Sequence, residues 1–270
     1  MLLSIVSGLE ESKSSPDEVK KKFNYLCQYL KSLSYDGIEL SLLEPEKVDV
    51  KSIIELKNSY DMKISALGTG STFIRFGYSL GDHREPIRKK AIERVEKYIG
   101  FARETQSKVI IGLIRGRYKH DSDSQKERLN IISSLKECCS LAENNDVQLL
   151  FEPINRFEID SYHTISESIQ LLKEIDSSNL KLLIDSYHTH LEEDPLYIWE
   201  YLKEIVHYVG HIHLADTTRR APGSGHFDFK TFLNTFKTHG YTEFVSIETI
   251  MKPSFELVAK NSSEFLRQIL

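Results

Sequence analysis

The chain has 270 residues, of which 40% are hydrophobic and 28% are charged, a composition typical of folded globular proteins. Its formal net charge of −5 lacks the basic excess with which proteins neutralise nucleic-acid phosphates, so binding to nucleic acid is not expected. Three cysteines, Cys27, Cys138 and Cys139, indicate neither a disulfide framework nor a cysteine-based metal site. With no signal-peptide pattern and no apolar stretch near ~20 residues, we expect a soluble cytoplasmic protein without membrane contact.

Strand-like and helix-like segments alternate along the chain. Each short apolar or β-branched run is followed by a segment whose apolar residues recur at helical spacing. The predicted strands cover residues 2–7, 37–40, 63–67, 108–113, 149–152, 182–185, 209–214 and 244–248. The predicted helices cover residues 16–33, 50–60, 86–104, 125–145, 166–175, 195–207, 229–239 and 254–269.

Eight strand and helix units follow one another with no linker and no low-complexity segment. That count predicts an α/β fold, a (β/α)₈ TIM barrel formed as a single domain over residues 1–270. An open doubly wound sheet remains an alternative, because periodicity alone does not reveal whether a sheet closes. In a barrel the loops after the strands form one face, and active sites lie there.

Four consecutive strands, the fifth to the eighth, end on side chains that bind metals: Glu152, Asp185, His213 and Glu248. Neighbouring strands lie ~4.8 Å apart, so four consecutive ends can converge on one ion, and buried charges need such a partner. Three carboxylates and one imidazole suit Mn²⁺, Mg²⁺ or Co²⁺ and still admit Zn²⁺. The alternative for any one of these carboxylates is a helix cap or a solvated loop residue.

Two further histidines lie near these strand ends. His211 is two residues before His213 on one strand and points to the same side, so it is either a buried core histidine or a group behind the ligand. His188 is predicted to lie in the loop after the sixth strand. There it either holds a substrate oxygen or is a surface histidine.

Basic residues follow the fourth and seventh strands. Arg115 and Arg117 place two guanidinium groups near the predicted site, where they suit a substrate carboxylate or form a solvated charge pair. The segment 217–226 contains two arginines and two glycines in a region where barrels often bind phosphate. It is predicted to bind an anion or to form a turn.

The sequence resembles the xylose isomerase-like TIM barrel superfamily of sugar isomerases and epimerases, and within it the ketose 3-epimerase group, the D-tagatose and D-psicose 3-epimerases. The resemblance covers most of the chain. It is carried by Phe-Glu-Pro-Ile-Asn-Arg-Phe-Glu at 151–158, Ile-Asp-Ser-Tyr-His at 184–188 with Leu-Glu-Glu at 191–193, His-Ile-His-Leu-Ala-Asp at 211–216 through Arg219, and Val-Ser-Ile-Glu at 245–248.

The resemblance implies roles for seven residues. One divalent metal would be bound by Glu152, Asp185, His213 and Glu248, with Mn²⁺ expected first and Mg²⁺, Co²⁺ or Zn²⁺ as alternatives. The two glutamates would also act as paired acid and base. Substrate would be held by Glu158, His188 and Arg219. Relatives are often dimers or tetramers, so a homo-oligomer acting on a small keto sugar is expected.

Two departures from the neutral-sugar enzymes bear on the substrate. The stretches 66–70 and 110–117 look more like a 5-keto-L-gluconate epimerase, which would give Arg115 or Arg117 an acidic sugar to bind. Glu248 is followed by Thr249 and Ile250 in place of the Pro-Phe common in the neutral-sugar group. The substrate range therefore stays open.

The chemistry that this site permits is proton abstraction next to a carbonyl, with a metal stabilising the enediolate. Return of the proton to the same carbon gives epimerisation, and return to the adjacent carbon gives isomerisation. One alternative is an apurinic endonuclease-like DNA hydrolase of the same superfamily, which needs more histidines than the early strand ends offer. Another is a sugar-binding barrel without catalysis.

Overall fold

Eight parallel strands close into a barrel in the computed structural model, which describes residues 1–117 and 124–270. Each strand pairs with its neighbours in chain order, and β1 also pairs with β8. The strands are β1 (Leu2–Gly8), β2 (Gly37–Ser41), β3 (Lys63–Gly68), β4 (Lys108–Ile111), β5 (Leu149–Phe151), β6 (Leu180–Asp185), β7 (Val209–Leu214) and β8 (Phe244–Ile247). Closure confirms the predicted TIM barrel and excludes the open sheet.

The described residues form ten α-helices. They are α1 (Pro16–Ser32), α2 (Val50–Ser59), α3 (Gly70–Phe76), α4 (Glu85–Thr105), α5 (Ser124–Glu143), α6 (Ile165–Ile175), α7 (Ser186–Glu192), α8 (Ile198–Ile205), α9 (Phe229–Thr238) and α10 (Phe255–Leu266). Eight of them match the predicted helices. The two that were not predicted, α3 and α7, follow β3 and β6 and are seven residues long, too short for a clear helical period. None of the ten is long and apolar enough to cross a membrane.

Local sequence explains where the outer helices begin and which face they bury. Before α1, Ser15 accepts a hydrogen bond from the N–H of Glu18, whose side chain accepts one from Ser15 in return. This capping box satisfies amides that a helix start leaves free. Val19, Phe23 and Leu30 then recur at helical spacing and are buried against the barrel.

Inside the barrel, an apolar cluster lies beneath the site. It consists of Ala66, Ile110, Leu150 and Leu183, one from each of β3 to β6. Each lies two residues before a cavity or cluster residue, namely Gly68, Gly112, Glu152 and Asp185. Because alternate residues of a strand face the same side, both sets face the barrel axis. The apolar layer supports the polar layer from below.

Candidate metal and active site

Four side chains meet at the carboxyl ends of β5 to β8. Glu152 directly follows β5, Asp185 ends β6, His213 lies one residue before the end of β7, and Glu248 directly follows β8. One ligand atom from each lies within 4.8 Å of those of the other three. Glu152, Asp185 and His213 are buried, and Glu248 is partly exposed. The four predicted metal ligands thus form one cluster.

The donor atoms of this cluster fit a divalent cation. His213 Nδ1 lies 3.4 Å from Glu248 Oε2, 3.6 Å from Glu152 Oε1 and 3.9 Å from Asp185 Oδ2. Among the described residues, the buried atoms His213 Nδ1 and Glu152 Oε1 find no hydrogen-bond partner. Buried polar atoms are rarely left so unless an ion or water serves them. Three carboxylates and one imidazole are consistent with a divalent metal and do not select one metal ion.

Glu39, on β2, holds His213 from across the barrel. Its buried carboxylate accepts hydrogen bonds from His211 Nε2 at 2.9 Å and from His213 Nε2 at 3.0 Å. Burial raises the pKa of Glu39, but the two histidines lower it by more, so the net pKa is below its ordinary value and the carboxylate is ionised. An ionised carboxylate only accepts hydrogen bonds, so both Nε2 atoms carry hydrogen. His213 Nδ1 is therefore the atom that faces the cluster.

The electrostatics of His213 show that the cluster favours positive charge. Burial lowers the pKa of His213, but the carboxylates of Glu39 and Glu248 raise it well above its ordinary value. The same carboxylates that favour a proton on this ring favour a cation next to it. His211 is buried behind His213 and bonded to Glu39, which matches the second of its two predicted alternatives.

Glu39 was missed by the sequence reasoning. The available signal was a single glutamate in the middle of an otherwise apolar strand, because a charge in such a position needs a buried partner. Sequence alone did not reveal that the partners are on β7, 172 and 174 positions away.

Arg219 lies beside the cluster and contacts two of its carboxylates. Its Nη1 donates to Asp185 Oδ2 at 2.8 Å, its Nη2 donates to Glu248, and its guanidinium lies 4.9 Å from the Tyr187 ring centroid. Although burial lowers it, Asp185 and Glu248 raise the pKa of Arg219. The residue has a φ of +57°, a backbone conformation that is uncommon for residues other than glycine. Arg219, which was predicted to hold substrate, also lines the cavity above the cluster.

Glu158 and His188, the other residues predicted to hold substrate, line the same cavity. His188 lies in α7 and is 3% exposed, so its predicted loop position was wrong. Its Nε2 is 3.8 Å from Glu152 Oε1. Asn155, which the sequence reasoning did not single out, joins the two: its Nδ2 is 2.9 Å from Glu158 Oε1 and 2.7 Å from His188 Nδ1.

Arg115 and Arg117 are placed differently from the expectation. Arg115 is fully buried, and its guanidinium donates to four main-chain carbonyls, those of Gly112, Glu152, Ser161 and Tyr162. Arg117 is exposed and donates to the carbonyls of Phe157 and Glu158. Neither is among the described residues that line the cavity. This placement corrects the expectation of a carboxylate site, because both arginines bind the main chain of the loop after β5.

The loop over residues 217–226 closes around Asp216. The Asp216 carboxylate accepts hydrogen bonds from the main-chain N–H groups of Thr217, Gly223 and Phe227 at 2.8, 2.9 and 3.2 Å. Burial raises the pKa of Asp216, but these amides lower it below its ordinary value. A Cβ on Gly225 would lie 2.3 Å from Asp216 Oδ1, so the loop needs glycine there. Its amides thus serve an internal carboxylate, which favours the turn alternative over a phosphate site.

A cavity of about 240 Å³ lies at this end of the barrel, between the cluster and the loops. On the side of β1 to β4 its lining is uncharged apart from Glu39. It combines small residues such as Ser41, Gly68 and Gly112 with the aliphatic Ile74, Ile110 and Leu113. A Cβ on Gly112 would lie 2.6 Å from Glu152 Oε2, so only glycine leaves that carboxylate in place. The half formed by β5 to β8 thus provides most of the charged groups, and the small residues of the half formed by β1 to β4 leave most of the cavity open.

This fold and site define a class of protein. A model of the family described as Xylose isomerase-like TIM barrel matches residues 27–269, so the chain belongs to that family. The family confirms the resemblance noted in the sequence at its broader level.

Among similar proteins, the 3-dehydro-D-guloside 4-epimerase of Escherichia coli is 25% identical over 251 residues, covering 89% of this chain and 90% of that protein. A probable ketose 3-epimerase of Synechocystis sp. is 26% identical over 278 residues, covering 92% of this chain and 93% of that protein. A crystal structure of D-allulose 3-epimerase from Methylomonas sp. in complex with D-allulose superposes with a TM-score of 0.84 at 19% identity, covering 100% of this chain and 97% of that one. The two relatives by sequence are thus described as sugar epimerases, at 25% and 26% identity.

Proposed function

We propose that this chain is a metal-dependent sugar epimerase that removes a proton from the carbon next to the carbonyl of a keto sugar and adds a proton to the opposite side of the same carbon. The observation that carries the proposal is the placement of Glu152 and Glu248. They reach one cluster from β5 and β8, strands separated by two others, and both line the cavity. Two carboxylates on different sides of a substrate carbon can exchange the roles of base and acid.

In this scheme one of the two carboxylates takes the proton from the carbon next to the carbonyl, and the other, protonated, donates one from the opposite side. A divalent ion held by Glu152, Asp185, His213 and Glu248 supplies Lewis-acid stabilisation of the negative charge on the substrate oxygens. Arg219 adds a fixed positive charge beside that position. Glu158 and His188 are proposed to orient the sugar hydroxyls.

The reaction proposed is of the 3-epimerase type, and the relative from Synechocystis described as a probable ketose 3-epimerase supports it. The substrate proposed is a keto sugar without a carboxylate. Arg115 and Arg117, which were predicted to bind an acidic sugar, instead donate to main-chain carbonyls. A product screen with neutral ketoses, ketohexuronates and ketose phosphates tests this, and a preference for ketohexuronates would contradict it.

Mn²⁺ is the metal proposed first, because the donor set is rich in carboxylate oxygen, while Mg²⁺, Co²⁺ and Zn²⁺ are the alternatives. Metal analysis of the purified protein should find one divalent ion per chain. Removal by a chelator should abolish turnover, and adding back each ion separately should rank the four.

A homo-oligomer, dimer or tetramer, is proposed together with a cytoplasmic location. Phe157, Leu196 and Tyr197, each at least 70% exposed, are apolar or aromatic side chains that a subunit contact could cover. Light scattering of the purified protein measures the oligomeric state.

The test of the chemistry is incorporation of label from solvent. Incubation of the metal-loaded protein and the keto sugar in tritiated water should place tritium at the carbon that is epimerised. Full turnover without tritium in the product would contradict proton transfer and point to a hydride shift. A variant that keeps the base for one epimer should still exchange that epimer's proton with solvent, although it does not convert it. Tritium exchange of one epimer in Glu248→Gln but not in Glu152→Gln would therefore identify Glu152 as the base for that epimer, and the reverse result would identify Glu248.

A further inference from the structure

Asn155 lies in the turn after β5, is 1% exposed, and has both ends of its side-chain amide bonded. Its Oδ1 accepts a hydrogen bond from the main-chain N–H of Phe157 at 3.0 Å. A main-chain N–H only donates, so this contact identifies which end of the amide is the oxygen. The nitrogen end, Nδ2, therefore faces Glu158 Oε1 at 2.9 Å and His188 Nδ1 at 2.7 Å.

This orientation determines the proton position on His188. An amide Nδ2 has two hydrogens and only donates, so His188 Nδ1 must accept. Two donors do not share a contact of 2.7 Å, which excludes a hydrogen on Nδ1. The ring hydrogen is then on Nε2, the atom that lies 3.8 Å from Glu152 Oε1 at the wall of the cavity.

We propose that Asn155 is a positioning residue that holds His188 as a hydrogen-bond donor toward the substrate and holds Glu158 as an acceptor. Asn155 itself does not line the cavity among the described residues, so it acts through the two side chains that do. The inference rests on the proposed function only for the identity of the substrate. The arrangement selects a sugar with an oxygen that accepts from His188 and a hydroxyl that donates to Glu158.

The substitution Asn155→Asp reverses the contact with His188 with little change in side-chain shape, and it also removes the donor to Glu158. A carboxylate only accepts hydrogen bonds, so the neutral ring places its one hydrogen on Nδ1 and leaves Nε2 without one. The introduced carboxylate would still accept from the N–H of Phe157, so the turn is retained; circular dichroism and thermal unfolding check that the variant folds. Asn155→Ala removes the side-chain contact without reversing it and keeps the main-chain N–H of residue 155, which donates to His188 Nδ1 at 3.5 Å.

The measurement is ¹⁵N NMR of the imidazole nitrogens in the Mg²⁺-loaded protein, since protonated and unprotonated ring nitrogens have well-separated shifts. The His188 signals are those lost in His188→Gln. We expect hydrogen on Nε2 alone in the unsubstituted protein, hydrogen on Nδ1 in Asn155→Asp, and a weaker preference for Nε2 in Asn155→Ala, where only the main-chain N–H of residue 155 still donates to Nδ1. Glu158→Gln is the matched control, because its amide oxygen still accepts from Asn155 and the His188 tautomer should not change.

A kinetic readout follows the same variants. Loss of the His188 donor, together with the lost support of Glu158, should lower kcat/KM of Asn155→Asp by about tenfold or more for the keto sugar identified by the product screen. Hydrogen on Nδ1 in the unsubstituted protein, or an unchanged tautomer in Asn155→Asp, would overturn the inference. If instead the tautomers are as expected but no label is incorporated from solvent, the proposed function fails and the role of Asn155 in orienting His188 stands.

Discussion

The two halves of the barrel carry the same strand and helix units but differ at their carboxyl ends. The ends of β5 to β8 supply Glu152, Asp185, His213 and Glu248, whereas β1 to β4 supply mainly small side chains and glycines. Charged groups need support from their own loops, and a substrate needs room opposite them. The half formed by β5 to β8 thus carries most of the charged groups at this end of the barrel, and the half formed by β1 to β4 leaves most of the room.

Glu39 and Arg115 are the exceptions that join the halves. Glu39, from β2, accepts hydrogen bonds from the two histidines of β7, and Arg115, after β4, donates to carbonyls of the loop after β5. Both are buried. Through these two residues, the half formed by β1 to β4 also holds side chains and main chain of the half that carries the cluster.

The largest effect is expected from the reactive half. Replacing Glu152 by Gln removes a group proposed to transfer the proton while nearly preserving its shape, so kcat should fall by about 10²–10⁴-fold at saturating metal. Turnover and tritium exchange are the measurements. The exposed Glu264→Gln on α10 is the control and should match the parent protein. Equal activity in both variants would remove Glu152 from the mechanism.

Arg115 tests the junction between the halves. Arg115→Met should lower the free energy of unfolding by roughly 3 kcal/mol, because buried carbonyls lose their donor. Arg117→Ala, in which an exposed side chain is lost, should change it by less than about 0.5 kcal/mol. Urea unfolding measures both. If Arg115→Met keeps its stability but loses turnover of a ketohexuronate, the predicted carboxylate site is restored.

A substitution of Glu39 tests whether the half formed by β1 to β4 supports the proposed metal ligands. A Gln at position 39 has one acceptor oxygen for two histidine donors, so the orientation of His213 weakens. We expect metal affinity to fall by about 10–100-fold, as measured by calorimetric titration of the chelator-treated protein with Mn²⁺. Glu46→Gln, which alters a surface pair with Arg94, should leave the affinity unchanged. A lower unfolding temperature with unaltered affinity would show that Glu39 only supports the fold.

The smallest effects are expected from replacing a glycine by alanine, and they should differ between Gly112 and Gly100. Gly112→Ala crowds the Glu152 carboxylate and should lower kcat/KM by about tenfold or more. Gly100→Ala, in α4, meets nothing within 4 Å and should stabilise the fold by up to about 1 kcal/mol without changing kcat/KM. Steady-state kinetics and thermal unfolding distinguish them. Full activity in Gly112→Ala would mean that the Glu152 carboxylate can move away from the added methyl group without loss of function.

The order of elements and the four cluster residues were predictable from the sequence by itself. Alternating strand and helix periods determine the eight units, and apolar runs that end on Glu152, Asp185, His213 and Glu248 mark the strand ends where parallel strands bring side chains together. These are local signals, since each depends on residues a few positions apart. The same local signals were too weak for the seven-residue helices α3 and α7.

Only the tertiary structure decided which groups behind the cluster meet. Glu39 bonds to His211 and His213 across the barrel, and Asn155 bonds to His188, 33 positions away. Arg115 appeared suited to a carboxylate because its charge is visible in the sequence, whereas the carbonyls that it binds are main-chain atoms that every residue possesses. Hydrogen-bond partners between distant segments depend on barrel closure, and no local pattern of residues records it.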